Sequence, residues 1–562
     1  MSAPHAQAGE TPAQRRTFAV AVAVILLVIV VAFRLLHPFQ PAAWSYQVLT
    51  LCLLVAAIAG RALLPFRGPE GERRDLVWPT PVLWLAIFLA AVLPYLQTLR
   101  VGFVSDDFGL AAAVREAAGP LDAMGSAAFR AFYRPLALLL WWLGDHLWHG
   151  APVGYHAVAL LLHGLNSLLV YALGRRLIGS TYAALMAALL FAVHPLHVEP
   201  VTWIAAGSDL LCATFSLLSL LSLEASLGAT SRRSKAALTA GALGAFLLAL
   251  LGKESAFPLP GVVALRLLLD SDPERRSKAL PLTGLYALLL LLYLAWRSSV
   301  LGGIGGYSMP LTVWNTLFPS APLLMIADFL FPVHRTLFAA HLTSWLWWLA
   351  LLGLALAAFW WLLGLDRVPA RRLWLWLGFV FLMAVPTWVF RWQPSASLEW
   401  TRFAYLPSIG LALMFGDLCA GRGLAWRRSA AVGVLILAAA TALTICYVTP
   451  WREAGRLASR AVTSGLTMLD KLKTDDGPST LYVSNLPQAW QGAPVFANCY
   501  PQALILATGA PVPVRVISDI PRSGGIHPNV MAVSLLKPGE YIVAWDPKSE
   551  SLRLVRSGGG QP

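Results

Sequence analysis

Charge is what this 562-residue chain has least of: 12% of its residues are Asp, Glu, Lys or Arg, against about 25% in soluble globular proteins. With 58% apolar residues and a mean hydropathy of +0.66, that scarcity excludes a soluble domain and a disordered chain. Cysteine is sparse as well. Of five, Cys52, Cys212, Cys419 and Cys446 lie in apolar runs and only Cys499 in a polar stretch. The polar part therefore closes no internal disulfide, and no metal-type Cys spacing exists. Internal repeats and low-complexity segments are missing, as are coiled-coil and collagen-like patterns. The glycine run Gly302-Gly303-Ile304-Gly305-Gly306 lacks the Lys-Ser/Thr of a P-loop.

What the chain has is a series of long apolar runs, the mark of a polytopic membrane protein. About thirteen spans are expected on hydropathy and loop charge. They lie near 17–36, 44–64, 81–99, 155–174, 180–195, 202–223, 236–252, 255–270, 279–296, 343–364, 373–390, 403–420 and 429–447. The formal charge of +14 comes in short basic bursts between the runs. Placing Arg15 and Arg16 inside puts the clusters around Arg61–Arg74, Arg175/Arg176, Arg232–Lys235, Arg275–Lys278, Arg367–Arg372 and Arg422–Arg428 inside too, without one break in alternation. This distribution argues against nucleic acid as the partner. Arg15-Arg16 also resembles a twin-arginine signal; a retained signal-anchor helix is the expectation.

Two apolar stretches, Arg134–His149 and Leu311–Pro332, do not fit the alternation and are expected as interfacial or re-entrant outer-face helices. Trp141, Trp142 and Trp148 suit the headgroup layer. After Val448 the composition turns polar. Trp451–Lys473 reads as an amphipathic helix, followed by β-like runs at Leu481–Val483, Val514–Ile517, Tyr541–Trp545 and Leu552–Val555. The expected fold is an all-α polytopic bundle with interfacial helices and a small C-terminal α/β domain. Its parts are an inner tail at 1–16, a membrane domain at 17–448 with an acidic outer loop at 100–154, and an outer domain at 449–562.

By parity the outer face collects Asp106, Asp107, Arg134, Glu199, Lys253, Glu254, Arg297, Arg391, Glu399 and Arg402, along with ten of the eleven histidines. Charges near a membrane are costly and usually line a cavity or pathway, so the chemistry is placed there. Asp106-Asp107 follows a span directly. Paired acids there can serve as a base, hold a metal, or, with Ser105 or Asp106 as cap, start a helix near Phe108. His194, His197 and Glu199 form one outer turn with Asp209 beyond it. They are open to phosphate or sugar binding, to a structural turn, or to Zn²⁺, although the spacing fits no tight ligand motif. Asp209 needs a partner in the bundle. His156, His163 and Asn166 make a polar stripe, read first as interhelical hydrogen bonding. Lys253 and Glu254 either pair with each other or present Lys253 to an anionic headgroup. Asp145 and His149, four apart, are expected to pair. Arg402 suits a lipid phosphate, with snorkelling as the alternative.

The ordered set Asp106-Asp107, Tyr133-Arg134-Pro135-Leu136, Tyr155-His156 with Leu161-Leu162-His163, Arg175-Arg176-Leu177, His194–Asp209, Gly252-Lys253-Glu254-Ser255 and Arg402 with Tyr405-Leu406-Pro407-Ser408 resembles the GT-C superfamily of polytopic glycosyltransferases. The likeness is nearest to the transmembrane protein O-mannosyltransferases that carry tetratricopeptide repeats and their bacterial relatives. More distant are the protein O-mannosyltransferases proper and the lipid A aminoarabinose transferases. It runs over roughly residues 80–410.

The resemblance implies inverting transfer of a sugar from a polyprenyl-phosphate carrier to a protein or cell-envelope glycan on the outer face of a bacterial inner membrane. It makes Asp106 and Asp107 the catalytic carboxylates on the base side of the site, one of them deprotonating or orienting the acceptor hydroxyl. It gives donor phosphate or sugar binding to Arg134, His156, His194, His197, Glu199, Lys253, Arg402 and Tyr405. No metal ligand is assigned, although some superfamily members use a divalent cation, so Mg²⁺ or Mn²⁺ stays open. The departures are Ser208 where a basic residue is expected, an extra leading span, and an α/β tail in place of repeats. Two other classes answer to the same composition: a flippase or transporter of a polyprenyl-linked glycan, which should show repeats and mid-membrane polarity, and a non-catalytic envelope assembly factor.

Overall fold

The computed structural model describes residues 80–125, 132–303, 305, several positions between 325 and 337, 368–387, 398–419, 423–472, 480–517 and 536–557. The expected spans at 17–36, 44–64 and 343–364 lie outside the described residues, as do Arg391 and most of Leu311–Pro332.

Long apolar helices dominate. Six described helices are long and apolar enough to cross a membrane: Thr80–Arg100, Pro152–Leu177, Ile204–Gly228, Arg232–Gly252, Pro273–Leu301 and Ala431–Lys471. Thr181–Val193 and Pro195–Thr202 make a seventh if the pair, bent by 50°, is one span. The protein is an integral membrane protein of mainly helical fold.

Burial follows from the apolar faces. Thr181–Val193 is buried along its whole length, packed among its neighbours. Small residues let the backbones meet: a Cβ on Gly416 would stand 2.3 Å from the Ala183 carbonyl oxygen, so only glycine fits that crossing.

Two expected spans are shorter than read. Leu259–Leu268 and Ser408–Cys419 have 10 and 12 residues, against the roughly 20 that a bilayer core requires. Prolines explain it. Pro258 and Pro407 each stand just before or at the helix start, and 3-10 turns, Glu254–Ala256 and Thr401–Ala404, lead into them. Conversely, the span expected at 429–447 and the helix expected at Trp451–Lys473 run together. Gly423–Lys471 is one 49-residue helix with Pro450 inside it, joining the last span to the tail helix.

Charged groups sort to the two ends. At one end Arg372 meets Asp417 at 3.1 Å and the Ile178 carbonyl at 3.2 Å, and Arg266 pairs with Glu224 at 2.7 Å and Asp270 at 2.5 Å. These sit among the basic clusters read as inner. The opposite end carries the candidate site.

Pro135–Trp148 is a separate helix, as expected for the segment at 134–149. Trp141, however, is buried against Tyr155 at 4.8 Å and Phe103 at 6.0 Å, not turned to headgroups. Asp145 pairs with Arg115 at 3.0 Å instead of with His149, which caps the helix in a left-handed conformation.

The C-terminal domain forms a four-stranded sheet, strands Val514–Val516, Thr480–Ser484, Glu540–Asp546 and Ser551–Ser557 in that order. The first three are parallel and the last is antiparallel, with helix Tyr500–Thr508 between strands. All four expected β-runs are strands. The domain docks on the long helix through Tyr500 Oη to the Ala461 carbonyl (2.9 Å), Leu552 N–H to Ser464 Oγ (2.7 Å) and Arg456 to Glu550 (2.7 Å).

Candidate active site

The acidic loop begins where the first described span ends in the 3-10 turn Leu93–Arg100. Ser105 holds φ 47°, a left-handed value rare for a residue with a side chain, and helix Asp106–Glu116 starts at the next residue. Backbone strain of this kind clusters at functional sites. The expected cap is not made by Ser105 or Asp106. Asp107, in the first turn, instead reaches outside the helix: its Oδ2 accepts the Val104 N–H at 3.0 Å and its Oδ1 the Ala205 N–H at 2.8 Å. Asp107 is 1% exposed, and burial pushes its carboxyl well up from the ordinary value, against the pull of those two N–H groups. It ties the acidic loop to the block that carries His194 and Glu199.

Asp106 behaves differently. It is partly exposed, and its Oδ1 accepts one hydrogen bond, from Asn498 Nδ2 of the C-terminal domain at 2.9 Å. The neighbouring acids thus divide: one is locked on both oxygens, and the other has an oxygen to offer.

Three ion pairs stand at this end of the bundle, and each joins segments remote in sequence. Arg402 bonds Glu199, whose Oε2 also accepts the Arg402 backbone N–H at 2.9 Å and the Thr401 hydroxyl at 3.2 Å. The Arg402 guanidinium lies 4.8 Å from the ring centres of Trp203 and Trp400 and 4.7 Å from that of Phe403. Rings on several sides and a carboxylate fix its orientation.

Lys253 does not pair with its neighbour Glu254. Its Nζ lies 2.7 and 2.6 Å from the two oxygens of Asp209, with both side chains almost fully buried, and 5.0 Å from the Phe403 ring centre. Asp209 thus has the partner its place in a span requires. Glu254 turns the other way, to Arg134, with Nε to Oε2 at 3.1 Å and a second contact from Nη2. Burial would raise the Glu254 carboxyl, but the charge and hydrogen bonds of Arg134, and the charge of Lys253, hold it down at about 2. Arg297, also buried, donates to the Tyr133 carbonyl at 3.0 Å beside Arg134.

The expected histidines and Tyr405 are placed in the packing between helices. His197 spans the Phe191 carbonyl (2.7 Å) and Ser408 Oγ (2.8 Å). His194 reaches the Phe329 carbonyl at 3.0 Å and stacks on that ring. His163 Nδ1 meets Tyr405 Oη at 2.8 Å, and Asn166 donates to the same oxygen at 3.2 Å. His156 bonds the Val101 carbonyl at 3.0 Å, below the acidic loop. The stripe on Pro152–Leu177 therefore does the interhelical hydrogen bonding read for it. Among the described residues no group of three or more His, Cys, Asp or Glu is set to hold a metal ion.

Beside Glu199 a narrow open crevice runs between the membrane helices and the hairpin formed by Ala489–Trp490 and Ala493–Pro494. Glu199, Glu399, Thr401, His334, Trp451 and Gln491 line it. Glu399 is raised above its ordinary value by burial and by the charge of Glu199. Asn498 is the residue that sequence reading missed altogether. Separated by 392 positions from Asp106, it carries no local signal of its contact.

Residues 134–298 match the family described as dolichyl-phosphate-mannose-protein mannosyltransferase. The resemblance to the GT-C superfamily is borne out over this segment. It contains Arg134, His156, His194, His197, Glu199, Asp209, Lys253 and Glu254; Asp106, Asp107 and Arg402 lie outside it.

The chain is also similar to human protein O-mannosyl-transferase TMTC4, at 45% identity over 103 residues, 16% of this chain and 14% of that protein. Drosophila melanogaster Tmtc2 is 37% identical over 150 residues, 24% of this chain and 16% of the relative. The chain thus spans only about one seventh of the length of these curated relatives. ArnT from Cupriavidus metallidurans, solved bound to undecaprenyl phosphate, aligns over 84% of this chain and 93% of its own at 14% identity, with a TM-score of 0.44. A superposition that loose fixes no residue correspondence.

Proposed function

We propose that this protein is a membrane glycosyltransferase that moves a sugar from a polyprenyl-phosphate donor to a hydroxyl of a protein or cell-envelope glycan. The reading places the reaction on the outer face of a bacterial inner membrane, with about thirteen spans and the C-terminal domain on the same side as the site. The observation that carries it is the gathering of Asp106, Arg402, Lys253 and Arg134 at one end of the bundle, in and beside the segment that matches the mannosyltransferase family.

The chemistry follows from the geometry. An acceptor hydroxyl ionises far above neutral pH and needs a base within reach. Asp106 fills that role, because Asn498 holds one oxygen and the other accepts no bond among the described residues. Asp107 positions it by clamping the loop. As the hydroxyl oxygen attacks the anomeric carbon, the bond from that carbon to the phosphate oxygen breaks, its electron pair leaves with the polyprenyl phosphate, and the configuration inverts. Negative charge grows on the phosphate, and cations that are already oriented lower the barrier without reorganising. Arg402 leads this set, with Lys253 and Arg134 behind it. Arg402 and Arg134 rest on carboxylates at partly exposed positions, so the donor phosphate binds by sharing them with those carboxylates, while Lys253, buried on Asp209, acts behind them without touching the phosphate.

The test is a panel of polyprenyl-phosphate sugars given to the purified protein with an envelope extract, following free polyprenyl phosphate by mass spectrometry and the anomeric configuration of the product by NMR. Acceptor-dependent release with inverted product is expected. No release from any donor, with folded protein and an extract active toward a known transferase, would move the reading to transport or assembly.

A further inference from the structure

The C-terminal domain does more than dock on the long helix; its loop Val495–Cys499 grips the acidic loop at three successive places. The Val495 carbonyl accepts the N–H of Ser105, the strained residue, at 2.8 Å. Phe496 stacks on Phe108 with ring centres 5.5 Å apart and planes at 20°. Between these contacts Asn498 Nδ2 donates to Asp106 Oδ1 at 2.9 Å. The one side-chain amide of this loop thus sits on the partly exposed carboxylate that directly follows the strained residue. Nor is the approach incidental. Below it Gly102 and Gly455 pack backbone to backbone, where a Cβ on Gly455 would stand 2.7 Å from the Gly102 nitrogen.

We infer that Asn498 is a positioning residue: it orients the Asp106 carboxylate, so that the C-terminal domain completes the site. The inference rests on the reading of Asp106 as the base. An amide N–H bonded to a carboxylate stabilises the ionised form and fixes which oxygen faces outward. The titratable groups that face Asp106 are Asp107, on its own helix, and the Cys499 thiol, which burial pushes up to about 12. Helix Tyr500–Thr508 presents no charged side chain, and Arg115 and Asp145 pair with each other at the far end of the acidic helix.

The experiment uses the full-length protein in lipid nanodiscs. Carbodiimide labelling of Asp106, which requires the protonated carboxyl, is followed against pH by peptide mass spectrometry in wild type, Asn498→Asp and Asn498→Ala. The exposed Asp122 serves as the internal reference. Donor turnover is measured over the same pH range.

Asn498→Asp sets a like charge in place of a donor and should move the Asp106 labelling midpoint up by about one pH unit. Asn498→Ala should move it less in the same direction, with Asp122 unmoved, and the acidic limb of turnover should follow. Unchanged Asp106 midpoints in both variants would overturn the inference. A shifted midpoint with no turnover even in wild type would leave Asn498 as the residue that positions Asp106 and remove the transferase reading. Should Asn498→Asp fail to fold, Asn498→Ala decides alone.

Discussion

Replacing Lys253 by Met separates what the buried pair does for the fold from what it does for the donor. Lys253 Nζ lies within 2.7 Å of both Asp209 oxygens, with side-chain exposures of 3% and 4%, so water reaches neither partner. Removing the cation strands a carboxylate, and breaking such a pair costs about 3–5 kcal/mol. Asp209→Leu alone strands the ammonium and should cost a similar amount. The double variant Lys253→Met/Asp209→Leu buries neither charge, and replacing a buried pair by apolar side chains is typically neutral or stabilising.

Thermal unfolding of all four proteins in one detergent, read as a double-mutant cycle, should show two unstable singles and a double close to wild type. Donor turnover should not recover in that double, because the buried cation behind the phosphate-binding arginines is gone. Singles within about 1 kcal/mol of wild type, far below the expected penalty, would refute the idea that the pair is held without solvent. A double variant with full turnover would remove Lys253 from the donor site.

Arg402→Lys should raise the donor KM about tenfold or more, since an ammonium cannot reproduce a planar group held between Glu199 and the rings of Trp203, Trp400 and Phe403. Steady-state kinetics with one donor would show it, and unchanged KM would argue for a purely structural arginine. Asp107→Ala leaves the Val104 and Ala205 N–H groups unpaired and should cost about 2–4 kcal/mol, while Asp106→Asn stays near wild-type stability. Thermal shifts that rank the two the other way would exchange their roles. The Arg134–Glu254 pair predicts an acid-labile contribution. Because the folded Glu254 value is depressed to about 2, that stability is present above the ordinary carboxylate range near pH 4.3 and is lost as pH falls toward 2. Glu254→Gln should flatten this stretch of a stability–pH curve, and an unaltered curve would show that the pair adds nothing there.

Much of the frame was legible in the sequence because hydropathy and loop charge are local signals. The helices Thr80–Arg100, Pro152–Leu177, Ile204–Gly228 and Arg232–Gly252 fall on expected runs. The short β-like runs Leu481–Val483 and Tyr541–Trp545 became neighbouring parallel strands. What was not legible is pairing. Lys253 and Glu254 are adjacent, but Lys253 is extended, with φ −164° and ψ 149°, between a helix and a 3-10 turn. Successive side chains on an extended backbone point to opposite sides, so one finds Asp209 and the other Arg134. Arg402 and Glu199 meet across 203 positions, which no spacing rule reaches. Trp141 was misplaced for a related reason: an amphipathic ring suits a headgroup layer and a buried cluster equally well, and only the neighbouring Tyr155 decides.

The most direct measurement is release of polyprenyl phosphate by the wild-type protein and by Asp106→Asn, at matched folding and with the same donor and acceptor extract. Release by the wild type that falls at least about a hundredfold in the variant, the scale of a lost general base, is the expected result. Equal release from both proteins would contradict Asp106 as the base and with it the mechanism proposed for this site.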